Sequence, residues 1–180
     1  IAIRVPGPSP RFEILGPPSV MATLWTGLAD EATVVNADFW ELLNIRAGIP
    51  PVFPDTSDAF VPQMANLQLL DGVSFKKGCY TGQEVVARMQ YLGKLKRRMY
   101  LSRVTAEIPP LPGDTLHCPS SSSEQATGKI VDARLNIDGD YEVLAVVEIE
   151  AAENGEVRLD GPEGPLLSFS EPPYGFPTDG

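Results

Sequence analysis

Apolar residues recur with two different periods in the first half of the chain, and with the strand period alone in the second. Ile1-Ala2-Ile3-Arg4-Val5 and Phe12-Glu13-Ile14-Leu15 read as two strands, with the proline-bounded residues 6–10 as the tip of a hairpin between them. Pro17-Pro18-Ser19 then introduces a helix, in which Val20, Leu24 and Leu28 recur at four-residue spacing with Met21 beside them. A second helix is predicted from Asn36 or Asp38 to Ala47, where Phe39, Leu42, Leu43 and Arg46 share a face. Gly48 and Pro50-Pro51 stop it. Hairpin strands alternating with helices imply an α+β layer with one sheet face covered.

From about Gly93 the pattern changes. Met99-Tyr100-Leu101, Gly128-Lys129-Ile130-Val131, residues 141–148 and Leu166-Leu167-Ser168-Phe169 are short β-type runs. Residues 109–114 and 136–140, rich in Pro, Gly, Asn and Asp, are turns between them. An antiparallel barrel is the simplest assembly, because closure removes the strand edges an isolated sheet would expose. The expected fold is therefore α+β: an antiparallel sheet with helices over residues 1–92, followed by a small antiparallel β-barrel over 93–180. The serine run 120–123 is expected to be a mobile loop without chemistry.

Charge narrows the partners. A formal charge of −10 and a pI near 4.5 oppose direct binding to nucleic acid or to an anionic membrane, since both need a positive field. No apolar stretch approaches the roughly 20 residues of a membrane span, and no basic segment followed by an apolar core opens the chain. The first residue is Ile1 rather than Met, and it leads straight into a strand, so upstream sequence is expected to have been removed. Two cysteines and one histidine make neither a disulfide framework nor a tetrahedral metal site, which points to a reducing compartment, the cytoplasm. His117-Cys118, followed by Pro119, reads as incidental loop residues.

The stretch that carries chemistry is Ser74-Phe75-Lys76-Lys77-Gly78-Cys79-Tyr80-Thr81-Gly82-Gln83-Glu84. Thr81 and Glu84 have capping-box spacing, and Val85, Val86 and Met89 supply an apolar stripe, so a helix is expected to begin just after Tyr80. Cys79 would then stand near a helix N-terminus with Lys76 and Lys77 close by, a setting that favours a thiolate where solvent reaches the sulfur. Gly78 and Gly82 would permit a tight turn. A small buried cysteine is the competing reading. Tyr80 could border a ring-shaped ligand or pack; Gln83 and Glu84 could bind a ligand, or Glu84 could serve the cap. Lys94, Lys96, Arg97 and Arg98 form a basic cluster, with a solvated strand face as its default reading.

Lys77-Gly78-Cys79-Tyr80-Thr81-Gly82-Gln83-Glu84 resembles the K-G-C-Y-x-G-Q-E signature of the YgfZ group, which is related to the aminomethyltransferase (T-protein) of glycine cleavage. The resemblance extends to Phe12-Glu13-Ile14, Leu24-Trp25, Ala47-Gly48-Ile49-Pro50, Pro62-Gln63-Met64 and Asn66-Leu67, and beyond the signature to Arg88, Gly93 and Arg97-Arg98. It implies a three-domain, ring-like protein with a central pocket for tetrahydrofolate or another reduced folate, of which the N-terminal domain is not in this chain. It also implies support of iron–sulfur enzymes, including those that modify tRNA, with iron–sulfur enzymes or their assembly factors as partners. By the same resemblance Cys79 is the reactive residue, and Lys77, Tyr80, Gln83, Glu84 and Arg88 are candidate folate contacts. The aminomethyltransferases carry an acid just before the Ala-Gly that ends the second helix. This chain has Arg46 there, and a cation cannot accept a pterin's hydrogen bonds. That disfavours aminomethyl transfer, which stays open as an alternative beside a non-catalytic interaction module.

Overall fold

The computed structural model describes residues 1–121, 126–154 and 156–177; Ser122 and Ser123 of the serine run lie outside the described residues. Strands β1 (Ala2–Val5) and β2 (Arg11–Ile14) pair antiparallel, Ala2 opposite Ile14 and Val5 opposite Arg11. The hairpin tip falls at the expected prolines. Helix α1 (Pro18–Ala29) has Pro18 in its first turn, where the missing N–H costs nothing. It buries no residue, and Val20, Trp25 and Leu28 are exposed.

Helix α2 (Ala37–Arg46) begins at Asn36, whose side-chain oxygen accepts the Phe39 N–H. Its buried residues are Leu42 and Ile45, whereas Phe39 is exposed and Leu43 only half-buried. The expected face was thus rotated: Ile45, not Phe39, reaches the core. Gly48 follows at φ +69°, and a Cβ there would lie 2.7 Å from the Tyr174 ring, so both backbone and packing ask for glycine. Arg11 joins hairpin to helix, donating to Asn44 Oδ1 at 2.8 Å and to Pro6 O at 3.1 Å while its guanidinium lies over Trp40.

Beyond α2 the chain passes through a 3-10 turn (Pro54–Thr56) and a series of turns to α3 (Gln83–Tyr91). A six-stranded antiparallel sheet follows. It comprises β3 (Arg97–Val104), β4 (Thr115–His117), β5 (Gly128–Leu135), β6 (Tyr141–Glu148), β7 (Arg158–Leu159) and β8 (Ser168–Ser170), in the order β7-β4-β5-β6-β3-β8. The sheet curls into a half-barrel, helped by a register shift between Ile130 and Asp132. A bridge between Arg158 and Leu166 ties the β7 edge back to the segment that leads into β8. The short helix α4 (Ile149–Asn154) follows β6.

Side chains alternate across this sheet. Tyr100, Val104, Leu116, Ile130, Val143, Ala145 and Val147 pack inside the half-barrel, while Met99, Val131, Leu144 and Val146 meet Ile45 of α2 on the other face. Cys118 belongs to the inner core at 3% exposure, and its N–H donates to Thr127 Oγ1 at 3.0 Å. It lies in the loop just past β4, as expected, but it is not incidental there, since the chain leaving His117 carries its side chain into the core. Among the described residues no helix is long and apolar enough to cross a membrane.

Candidate functional site

The signature loop lies on the surface between the turn-rich segment and α3. Cys79 is exposed, and on either side of it Lys77 and Tyr80 come together, the Lys77 Nζ 4.5 Å from the centroid of the Tyr80 ring. Tyr80 is half-buried, Gln83 likewise, and Glu84 and Arg88 are exposed. Phe75 meets Tyr91 edge-on at 6.0 Å, so the start of the loop touches the end of the helix that follows it.

The helix begins later than its sequence implies. Gly82 is the N-cap, at φ +86°, and no side chain caps the helix. The Thr81–Glu84 capping box does not form, because the left-handed turn that only glycine adopts cheaply takes its place. Cys79 consequently stands three residues ahead of the cap, outside the first turn. Of the expected apolar stripe only Val86 is buried; Val85 is 56% exposed. The loop is held to the body by a side chain whose role the sequence did not disclose. Gln63, 2% exposed, donates from Nε2 to Val86 O at 2.6 Å. Three residues on, Asn66 donates from Nδ2 to Met99 O at 2.8 Å and to the Tyr174 hydroxyl at 3.1 Å, and that hydroxyl donates to Gly48 O. Lone amides in a turn-forming segment carry no periodic signal, so although Pro62-Gln63-Met64 and Asn66-Leu67 share in the family resemblance, their local pattern does not mark them as buried anchors.

Exposure separates the two cysteines. One equivalent of an alkylating reagent on the folded protein is expected to modify Cys79 and leave Cys118 intact, as peptide mass mapping would show; labelling of Cys118 at a comparable rate would contradict this placement.

Arg46 is engaged within the protein. Its Nε and Nη2 donate to the two carboxylate oxygens of Glu142 at 2.8 and 2.7 Å, a bidentate pair that bolts the end of α2 to β6. The hydrogen bond from Arg46 holds the Glu142 carboxyl below its ordinary pKa, and the same bond raises that of Arg46. A depressed carboxylate contributes stability that is present above the unfolded pKa, roughly 4.3, and is lost as pH falls through the lower folded value. Glu142→Gln is therefore expected to cost about 1–2 kcal/mol at pH 7, the exposed guanidinium keeping it below the cost of a buried pair. The difference from the parent should narrow once pH falls below about 4 and close only below the lower folded value, in denaturant titrations. A deficit of equal size at both pH values would show that the charge is not its source.

The basic cluster is likewise partly engaged. Arg97 pairs with Glu148 at 3.3 Å and Arg98 lies 4.4 Å from the Phe176 ring centroid, while Lys94 and Lys96 are exposed. Two concavities flank α2. One of 320 Å³ lies between the hairpin tip, Ala47, residues 69–71 and Tyr174. The other, of 240 Å³, includes Arg46, Arg103, Glu142, Ser168 and Ser170. Neither includes a residue of the signature loop. Among the described residues no three His, Cys, Asp or Glu side chains converge as metal ligands would.

An α+β chain that ends in an antiparallel half-barrel, and displays an exposed cysteine in a K-G-C-Y-x-G-Q-E loop ahead of a lightly packed helix, defines a class. Comparison with curated proteins says which. The chain is 36% identical to the tRNA-modifying protein YgfZ of Sodalis glossinidius over 167 residues, 93% of this chain and 51% of the relative. It is 35% identical to that of Yersinia enterocolitica over 172 residues, 96% and 52% respectively. The protein of Escherichia fergusonii with the same name is 39% identical over 152 residues, 84% and 47%. This chain belongs to the YgfZ group, and it spans about half the length of the curated relatives it matches. No family model matches it.

Proposed function

We propose that the protein to which these residues belong binds a reduced folate and supports the making or repair of iron–sulfur enzymes, tRNA-modifying ones among them, with Cys79 as its reactive group. The observation that carries this reading is the exposure of Cys79 within the signature, flanked by the Lys77–Tyr80 pair. The relatives' name, tRNA-modifying protein, supports the tRNA part. The compartment that fits this work is the cytoplasm.

The donor set around the loop suits a folate chemically. Tyr80 offers a half-buried ring face, Gln83 and Glu84 offer acceptors for a pterin's N–H groups, and Lys77 and Arg88 offer cations for the carboxylates of the glutamate tail. When bound, the folate would supply a one-carbon carrier, and these side chains would hold and orient it. Aminomethyl transfer fits less well, since Arg46 pairs with Glu142 through its Nε–Nη2 edge and a guanidinium presents no acceptor to a pterin.

Two measurements test the proposal. Calorimetry of the full-length protein with tetrahydrofolate is expected to show binding, weakened about tenfold or more, some 1.4 kcal/mol, when Lys77 and Arg88 are both changed to Ala. In cells lacking the gene, the intact protein is expected to restore a cluster-dependent tRNA modification. Absence of folate binding, or affinity unchanged by the double substitution, would remove the folate half of the reading; a deletion strain with normal modification would remove the other.

A further inference from the structure

We infer that Gln63 is the positioning residue of the signature loop: through Val86 it sets where Cys79, Lys77 and Tyr80 stand relative to the half-barrel. The inference rests on the functional reading above for its cellular consequence, but not for its structural one. Helix α3 has little else to hold it. Val86 is its one buried residue, and Val85, Glu84 and Arg88 face outward. A helix so thinly packed gains little stability from its own propensity, so its place depends on specific tethers.

The tether can be followed bond by bond. Asn66 donates to Met99 O of β3 at 2.8 Å, which fixes the turn segment to the sheet. It does so from a left-handed backbone, φ +58°, that asparagine tolerates better than most residues. The Asn66 N–H donates to Gln63 O at 3.2 Å, and Gln63 Nε2 donates to Val86 O at 2.6 Å. From Val86 the N–H runs to Gly82 O at 3.4 Å, and the Gln83 N–H runs to Tyr80 O at 3.2 Å. Tyr80 in turn carries Lys77 on its ring. Cys79 lies between these last two, so the residues that border it are referred back to β3 through two buried amides, Gln63 and Asn66.

Hydrogen exchange on the full-length protein tests this without reference to activity. Gln63→Leu removes the donor at similar volume, and Gln63→Met, of similar length, likewise carries no N–H to donate. In both variants the amides of α3 are expected to exchange about tenfold faster or more, while those of β3, β5 and β6 keep their protection. Unchanged protection in α3 would overturn the inference. So would an equal loss across the sheet, which is the signature of a merely structural residue. In deletion cells Gln63→Leu is expected to reduce restoration of the tRNA modification although Cys79 is intact. Loosened α3 with full restoration would show that the loop's position does not matter to function. The two readings fail separately: if Cys79→Ala is silent in cells while Gln63→Leu frees α3, the functional proposal falls and the tether stands.

Discussion

Cys79→Ala in the full-length protein is expected to reduce restoration of a cluster-dependent tRNA modification to the level of the deletion strain, with the melting temperature within about 2 °C of the parent. The argument lies in the contrast between place and identity. The sulfur is exposed on a surface loop, and exposed truncations away from caps, cores and networks shift stability by only about 0.5 kcal/mol either way. Such a change moves a midpoint by no more than a degree or two. A loss of activity therefore could not be charged to unfolding. Cys79→Ser sharpens the test, since it keeps size and polarity and removes only the thiol. The measurements are complementation by both variants, immunoblots for abundance and thermal melts of the purified proteins. Full restoration by the alanine variant would make the thiol dispensable. Loss of function accompanied by loss of protein would put Cys79 among the structural residues, against its exposure.

Gly128→Ala is expected to be among the most damaging single-methyl changes in the half-barrel. Gly128 opens β5 opposite Val147 of β6, and a Cβ there would stand 2.2 Å from Val146 O and 2.8 Å from Val147 Cα. Both obstacles are backbone of a core strand and neither can rotate away. Relief would require shifting β5 off β6 at the place where Thr127 O accepts the Glu148 N–H. Overpacking of a rigid core costs about 1–3 kcal/mol and occasionally more, and backbone obstacles put this site at about 3. Gly27→Ala is the control: nothing lies within 4 Å of its Cβ, and it sits inside helix α1. There the methyl should add about 0.5–1 kcal/mol by limiting the unfolded chain. Denaturant midpoints of the two variants should thus move in opposite directions. A neutral Gly128→Ala would mean that the sheet yields more readily than its hydrogen bonding implies.

Much of the architecture follows from the sequence alone wherever one element carries its own signal. Strand β6 runs Tyr141–Glu148 as its apolar run indicates, since Asn136 closes the turn before it by accepting the N–H groups of Asp138 and Asp140. The β1–β2 hairpin and helix α2 are legible for the same reason: prolines, an asparagine cap and a glycine stop mark their ends locally. The signature, and with it the family, could be read from eight consecutive residues. Tertiary structure decided the rest. Strands β4 and β7 have three and two residues, too few to show a period, and they exist because neighbours supply their hydrogen-bond partners. Cys118 is core because the half-barrel curls around it, and Arg46 is paired because β6 brings Glu142 beneath the end of α2, 96 residues away in sequence. The start of α3 was misread for a related reason: a capping box is a local option, and Gly82 in a left-handed turn displaced it. Likewise, a glutamine such as Gln63 is an ordinary polar residue until folding buries it against the one carbonyl that holds the loop. Local patterns encode elements; which polar groups become anchors depends on what the fold removes from water.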